Sequence, residues 1–405
     1  MNEQRIAKDQ RKIFGLNRNI FILGLTSFFN DFSNEMILSA FPAFFTSVLK
    51  SGAASLGLVE GIADGAANFL KIYSGNLSDK ISKRRIFIFI GYGLSVIIRP
   101  FYMTAAAFSG IVGVLGLRMV DRIGKGVREA PRDVIISVSA AEGDKGRSFG
   151  YHRAMDTAGG ILGPLAAYLM LRYMPDQWGT FFMITFLIGL ISVATIFFVK
   201  EVVTTYRPNG RRVFSFKTFF SFSRSFQFYL FSVFLLSIGS LPTAVLLLKT
   251  SSVGLVVASI PLFYMIYSVT FTAFSFNAGK LSDKIGTGKV ITLGYIILII
   301  SYAGMAWAST PLTLGIFYGM MGIFSACTDS TQRAHVAKNA PEYERGTAYG
   351  LLNGALGFGA MISGIAGGYI WQHWGANQAL IISALVVIIG LLVFSLSKRM
   401  GNGVK

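Results

Sequence analysis

The stretch RMVDRIGKGVREAPRD, from Arg118 to Asp133, sets eight charged side chains in sixteen residues. Arg118, Arg122, Lys125, Glu129 and Arg132 recur at spacings of four, three, four and three, which places them in one stripe on a helix. Arg118 and Arg122 are permanent cations, able to hold an anionic group or to exchange partners with a deprotonated acid. The bland use of the same pattern is mutual neutralisation, Lys125 with Glu129 four apart, and Arg118 with Asp121 and Glu129 with Arg132 three apart. Further upstream, NDFSNEM sets Asp31 and Glu35 one helical turn apart. Two nearby carboxylates in a poorly solvated place resist carrying two charges at once, which suits proton pick-up and release. RIGKG is no phosphate loop, because Met119 stands five before Gly124 and no Ser or Thr follows Lys125. His152, His335 and His373 are scattered without metal spacing, and no nucleophile–base pairing is visible. The chemistry on offer is ion pairing and proton exchange, with no cofactor and no metal called for.

The elements that position these groups follow from composition. The chain has 405 residues, 53% of them apolar and only 14% charged, where a soluble protein carries roughly a quarter charged residues. Apolar runs of about twenty residues, each able to cross a hydrocarbon core as a helix, recur at 19–49, 54–78, 86–107, 110–139, 149–172, 180–199, 226–249, 254–279, 289–309, 311–337, 346–370 and 378–397. This is the pattern of an all-α polytopic membrane protein with twelve transmembrane helices. A net charge of +18 suggests nucleic acid, but its distribution argues otherwise. With the amino terminus inside, 25 Lys and Arg fall in or beside the seven cytoplasmic segments, and just three, Lys50, Arg172 and Lys249, at the external ones. That asymmetry is the positive-inside rule and places both termini in the cytoplasm, with no nucleic-acid partner. The basic head before the first run lacks a small-residue cleavage site and reads as leading into a retained helix. Cys327, alone in the chain, reads as a small packing residue inside a helix.

The chain is written twice. GNLSDKIS (Gly75–Ser82) recurs as GKLSDKIG (Gly279–Gly286), 204 residues later. Each copy follows the second span of a six-helix half, and the polar, basic segment 200–225 separates the halves. Two parallel six-helix repeats with a cytoplasmic linker imply a solute site near the membrane midplane. The expected organisation is therefore a bundle of residues 1–199, a linker of 200–225 and a bundle of 226–405. On these residues the sequence resembles the major facilitator superfamily over its full length. The repeated G-x-L-S-D-K-I is similar to that family's loop signature. GGILGPLAAY (Gly159–Tyr168) resembles the G-x-x-x-G-P element of its fifth helix, commonest among proton-coupled exporters. Arg118 stands where the family's fourth-helix arginine is found. Ser82 and the pair Ala166–Ala167 depart from the family pattern. The resemblance implies alternating access and names no substrate.

Physically, Asp79 and Asp283 can accept hydrogen bonds from the amides that open the next helix, and the basic neighbours Arg84 and Arg85 can hold carbonyl ends or acids. With Gly75 and Gly279 they form the expected cytoplasmic latch, the plainer reading of each copy being a tight turn. Gly159, Gly163 and Pro164 let helices approach closely and bend one of them. Predicted intramembrane charges are lopsided: eight acids and eight bases in the first half, against Asp329 and Arg333, with His335, in the second. The first half is therefore expected to carry the chemistry, with Asp31, Glu35 and Asp121 in proton coupling. Arg118, Arg122 and Lys125 are expected to face the solute across from Tyr264, Tyr267, Asp329, Arg333 and Asn353, although aromatic rows on membrane helices more often pack than bind.

The reading is a proton-coupled secondary transporter of a small amphipathic or charged organic solute, monomeric, in the cytoplasmic membrane, and exporting. The alternative is uptake of an organic anion or metal chelate. An intramembrane enzyme fits less well, and an ATP-driven pump lacks its nucleotide loop. One test needs no structure. In a Cys327→Ser background, single cysteines at Asn209 and Asn377 should react with an impermeant maleimide from opposite sides of the membrane; reaction of both from one side contradicts the twelve-span arrangement.

Overall fold

The computed structural model describes residues 12–80, 84–141, 144–201, 219–220, 222–340 and 345–402, with the side chains of 12, 71–80 and 398–402 outside the description. A short hairpin, Lys12–Ile13 paired with Leu16–Asn17, leads into the first helix. The long helices are α1 (Arg18–Ser47), α2 (Ala53–Lys80), α3 (Arg84–Ile97), α4 (Tyr102–Ser139), α5 (Lys145–Tyr173), α6 (Trp178–Ile196), α7 (Arg224–Gly239), α8 (Ile260–Ile285), α9 (Thr287–Trp307), α10 (Pro311–Asn339), α11 (Arg345–Trp374) and α12 (Ala376–Asn402). All twelve predicted apolar runs overlap helix. Among the described residues, nine helical segments are long and apolar enough to cross a membrane. One of them, Arg84–Ser139, has 56 residues, length for two crossings. α1 and α2 are long enough but fall outside the nine; they carry Asp31, Glu35, Glu60 and Asp64.

Local chemistry sets the helix ends. Gly110 has φ 54 and ψ −134, a conformation that side chains disfavour, and it breaks α4 so that 111–139 runs back along α3. The return is tight: a methyl group at Gly91 would lie 2.6 Å from the Gly124 carbonyl oxygen, and one at Gly124 would lie 2.5 Å from that of Gly91. Ser223 opens α7 by accepting the Phe226 amide at 3.3 Å. Thr310 and Thr313 form a capping box ahead of α10. The glycine–leucine–serine–aspartate motifs prove to be the last turns of α2 and α8, not loops beyond them.

The chain packs as two compact units, one of Met1–Ser39 and Tyr73–Arg211, the other of Ala40–Ile72 and Arg212–Lys405. In the first, Ile22, Leu23, Ile88, Tyr92, Ile135, Ile136, Ile196 and Val199 form a buried cluster. Asn19 ties the start of α1 to the end of α6, donating to the Lys200 carbonyl at 3.0 Å and accepting the Lys200 amide at 2.9 Å. In the second, α2 lies backbone to backbone with α11: a methyl at Gly364 would stand 2.5 Å from the Gly61 Cα, and one at Gly368 would stand 2.5 Å from the Ala53 carbonyl. Gln372 of α11 closes that seam by accepting the Ala54 amide at 3.0 Å. Buried Cys327 joins Ala278, Val290 and Ala326 in a small core, the packing role expected of it. Outward faces carry exposed Phe108, Val112, Leu187, Leu312, Leu385 and Leu392, as a lipid-facing surface requires.

Candidate functional site

α5 reaches α1 through its glycines. A methyl at Gly159 would lie 2.6 Å from the Phe28 carbonyl oxygen and 3.2 Å from the Asp31 Cβ; at Gly163 it would lie 2.5 Å from the Phe32 carbonyl and 3.0 Å from the Glu35 Cβ. The fifth-helix element therefore grips α1 at the two carboxylates, with Pro164 buried beside it. Both acids are half-buried. Asn30 donates to Asp31 at 2.9 Å and Asn34 to Glu35 at 3.3 Å.

One turn below, α5 presents an acid to which sequence reading assigned no role. Asp156 accepts from the Ser27 hydroxyl, lies 3.5 Å from His152 Nδ1, and is an electrostatic neighbour of Asp31. Lys125 and Arg128 of α4 act on Asp31 as well. The signal for Asp156 was present: His152, Asp156, Gly159 and Gly163 recur at four, three and four, so they share a helix face.

The α4 stripe divides. Arg118 is 1% exposed and its Nη1 sits 3.4 Å from Asp121. Asp121 is buried among four guanidinium groups, Arg118, Arg122, Arg128 and Arg99. This corrects two expectations. Asp121 is a structural counter-ion rather than a group free to exchange a proton, because neutralising it would strand several buried cations. Arg118 does not front open water; helical spacing gave its face but not what covers that face. Arg122 is buried too. Arg128 donates to Ser95 Oγ at 2.7 Å and the Gly91 carbonyl at 3.3 Å, and lies 4.3 Å from the Tyr92 ring centroid. Lys125 is the open member, 40% exposed and 3.9 Å from Glu129. Arg132 pairs with Asp133 at 2.9 Å and not with Glu129.

The latch differs from expectation as well. Glu201, beyond α6, accepts the Arg84 and Arg85 amides at 3.0 Å each, capping α3. Arg85 also donates to the Phe197 carbonyl at 2.8 Å. Gly75 is helical, and the side chain of Asp79 lies outside the described residues. Asp283 does not cap α9, whose first residue follows Gly286 with no side-chain cap. It is exposed and 3.8 Å from Lys338, while Gly279 has open space around it. Glu201→Ala should therefore lower thermal stability by about 1 kcal/mol, the usual worth of a cap, and Asp283→Asn by much less; equal melting temperatures for the two purified variants would contradict this assignment.

In the second unit α7 to α11 enclose a cavity of about 420 Å³. Tyr267 and Phe271 of α8 form one wall, with Tyr295 and Phe324 opposite as a second ring pair 5.2 Å apart. Ser237, Ser240, Ser325, Thr328 and Gln332 supply polar edges, while Asp329 and Arg333 stand exposed at its margin. Tyr267 donates to Ser325 at 3.0 Å. Tyr264 stacks against Tyr267 at 5.7 Å without lining the cavity, and half-buried Asn353 lies between the lining residues Leu352 and Leu356. Other members of the aromatic row pack: Tyr229 donates to the Gln332 carbonyl, and Phe263 meets Tyr318 edge-on. Among the described residues no group of three or more His, Cys, Asp or Glu could hold a metal ion.

The sequence profile of the Major Facilitator Superfamily matches residues 23–321 and 242–401. An uncharacterized MFS-type transporter of Methanocaldococcus jannaschii is 31% identical, over 96% of this chain and 98% of that one. A multi-drug resistance efflux pump PmrA homolog of Lactococcus lactis is 24% identical, over 95% of this chain and 96% of that one. Among solved structures, the nucleoside transporter NupG superposes with a TM-score of 0.80 at 17% identity, covering 93% of this chain and 99% of that one.

Proposed function

The chain belongs to the major facilitator superfamily, and from that premise we propose that it is a proton-coupled exporter of a small organic solute. It is an integral membrane transporter and not an enzyme. Its sequence halves, 1–199 and 226–405, rock about a central site, joined by 200–225, with both termini in the cytoplasm and the protein acting as a monomer in the cytoplasmic membrane. Asp31 and Glu35 carry the proton, and Asp156 joins them. The observation that carries this reading is the grip of Gly159 and Gly163 on α1 at those two acids: the helix seam that must shift during transport is the seam that holds the exchangeable protons. Changing the charge there alters the cost of burying the seam, which couples protonation to helix movement.

The fifth-helix element supports export, as does similarity to an efflux pump. Exposed Lys125 supports the second reading, uptake of an organic anion or metal chelate. Energised everted vesicles separate the two. Export predicts protonophore-sensitive accumulation inside everted vesicles and none in right-side-out ones. Flux unaffected by a protonophore in either orientation would refute proton coupling.

A further inference from the structure

We propose that the cavity of the second unit recognises a zwitterionic solute with a flat apolar body, its cation set against Asp329 and its anion against Arg333. This deepens the transport reading and rests on it. Asp329 and Arg333 are four apart on α10, so their Cβ atoms are about 6 Å from each other on one face. Both belong to the lining of the 420 Å³ cavity, and among the described residues neither forms an ion pair with the other or with any third group. The contrast with the first unit is chemical. There Asp121, Lys125, Arg128 and Arg132 all have bonded or paired partners. Charges at membrane depth are costly and are kept where they do something; an opposite pair held open at a cavity edge is a receptor for a complementary pair.

Each charge excludes what the other alone would accept. A simple cation meets Asp329 but is repelled by Arg333, and a simple anion meets the reverse. A neutral solute leaves both charges without compensation. The body is specified by the walls. Tyr267 lies with Phe271 in a near-parallel pair, 6.4 Å and 6°, and Tyr295 is fixed by Gln332, which donates to its hydroxyl at 2.8 Å. Rings so placed offer flat faces to an aromatic group, and the volume suits a solute of amino-acid to nucleoside size.

The test uses the purified full-length chain in lipid nanodiscs and four probes with one ring system: L-tryptophan, its amide (cation), its N-acetyl derivative (anion) and N-acetyl-tryptophanamide (neutral). Tryptophan should bind at least tenfold more tightly than each of the others. Asp329→Asn should erase its advantage over the N-acetyl anion, and Arg333→Gln its advantage over the amide cation. Both side chains are exposed, so both variants should fold, which their melting curves check. No tryptophan binding by folded wild-type protein, four probes bound alike, or preferences unmoved by the two variants would each overturn the proposal. Selective binding without proton-driven flux would defeat the transport reading and leave this site standing. Proton-driven flux of singly charged solutes without tryptophan binding would do the opposite.

Discussion

Asp31→Asn should abolish gradient-driven solute accumulation in proteoliposomes, to the level of protein-free vesicles, while solute counterflow without a gradient persists. Asparagine mimics the protonated acid in shape and removes its charge, so the α1–α5 seam no longer waits for a proton. Asp156→Asn should act in the same direction, because Asp156 and Asp31 are electrostatic neighbours and Asp156 holds His152 at 3.5 Å. Glu35→Gln tests the second acid on the same seam. Asp121→Asn should behave differently. Removing the counter-ion of Arg118, 1% exposed, leaves buried cations unpaired, a change that costs about 3–5 kcal/mol where one partner of a buried pair is lost. Its signature is poor expression and early melting rather than uncoupling. Normal accumulation by Asp31→Asn, or uncoupling without destabilisation by Asp121→Asn, would reverse these assignments.

The second large effect is steric. Gly159→Ala puts a methyl 2.6 Å from the Phe28 carbonyl and 2.8 Å from the Phe32 amide nitrogen. Both are backbone atoms that cannot rotate away, so the helices must separate, at about 1–3 kcal/mol for overpacking. Gly159→Leu should prevent assembly of the folded protein. Gly160→Ala is the internal control: nothing stands within 4 Å of its added methyl, and exchanging glycine for alanine inside a helix stabilises by up to about 1 kcal/mol. Opposite shifts in melting temperature at adjacent positions are expected, and shifts of the same sign would mean that α5 does not contact α1 through Gly159.

How far the molecule could be read from its residues depends on the range of the interaction. Helix positions follow from apolar runs and local breakers, so the predicted turn between 107 and 110 coincides with the left-handed Gly110. The repeated motif was visible, but its helical state was not, because nothing in GNLSDKI stops a helix before Lys80. Partners across the chain were less legible. Glu201 caps a helix 116 residues earlier, a pairing that no spacing rule encodes. The five stripe residues of α4 share one periodicity, yet Arg118 is buried and Lys125 is 40% exposed; periodicity defines a face, and neighbouring helices decide what covers it. The weight placed on the first half also shifts. Its many charges largely satisfy one another, whereas the sparse pair Asp329 and Arg333 stands open at a cavity.

The central claim is that protons taken up and released on the α1–α5 seam drive solute movement. Its most direct measurement is proton flux in acid-loaded liposomes containing the purified protein and a pH-sensitive dye, with a panel of cationic, anionic and zwitterionic aromatic solutes added outside. At least one solute should trigger alkalinisation of the lumen by the wild-type protein and none by an Asp31→Asn, Glu35→Gln double variant that still performs counterflow. Solute-triggered proton movement of equal size in both proteins would contradict the claim.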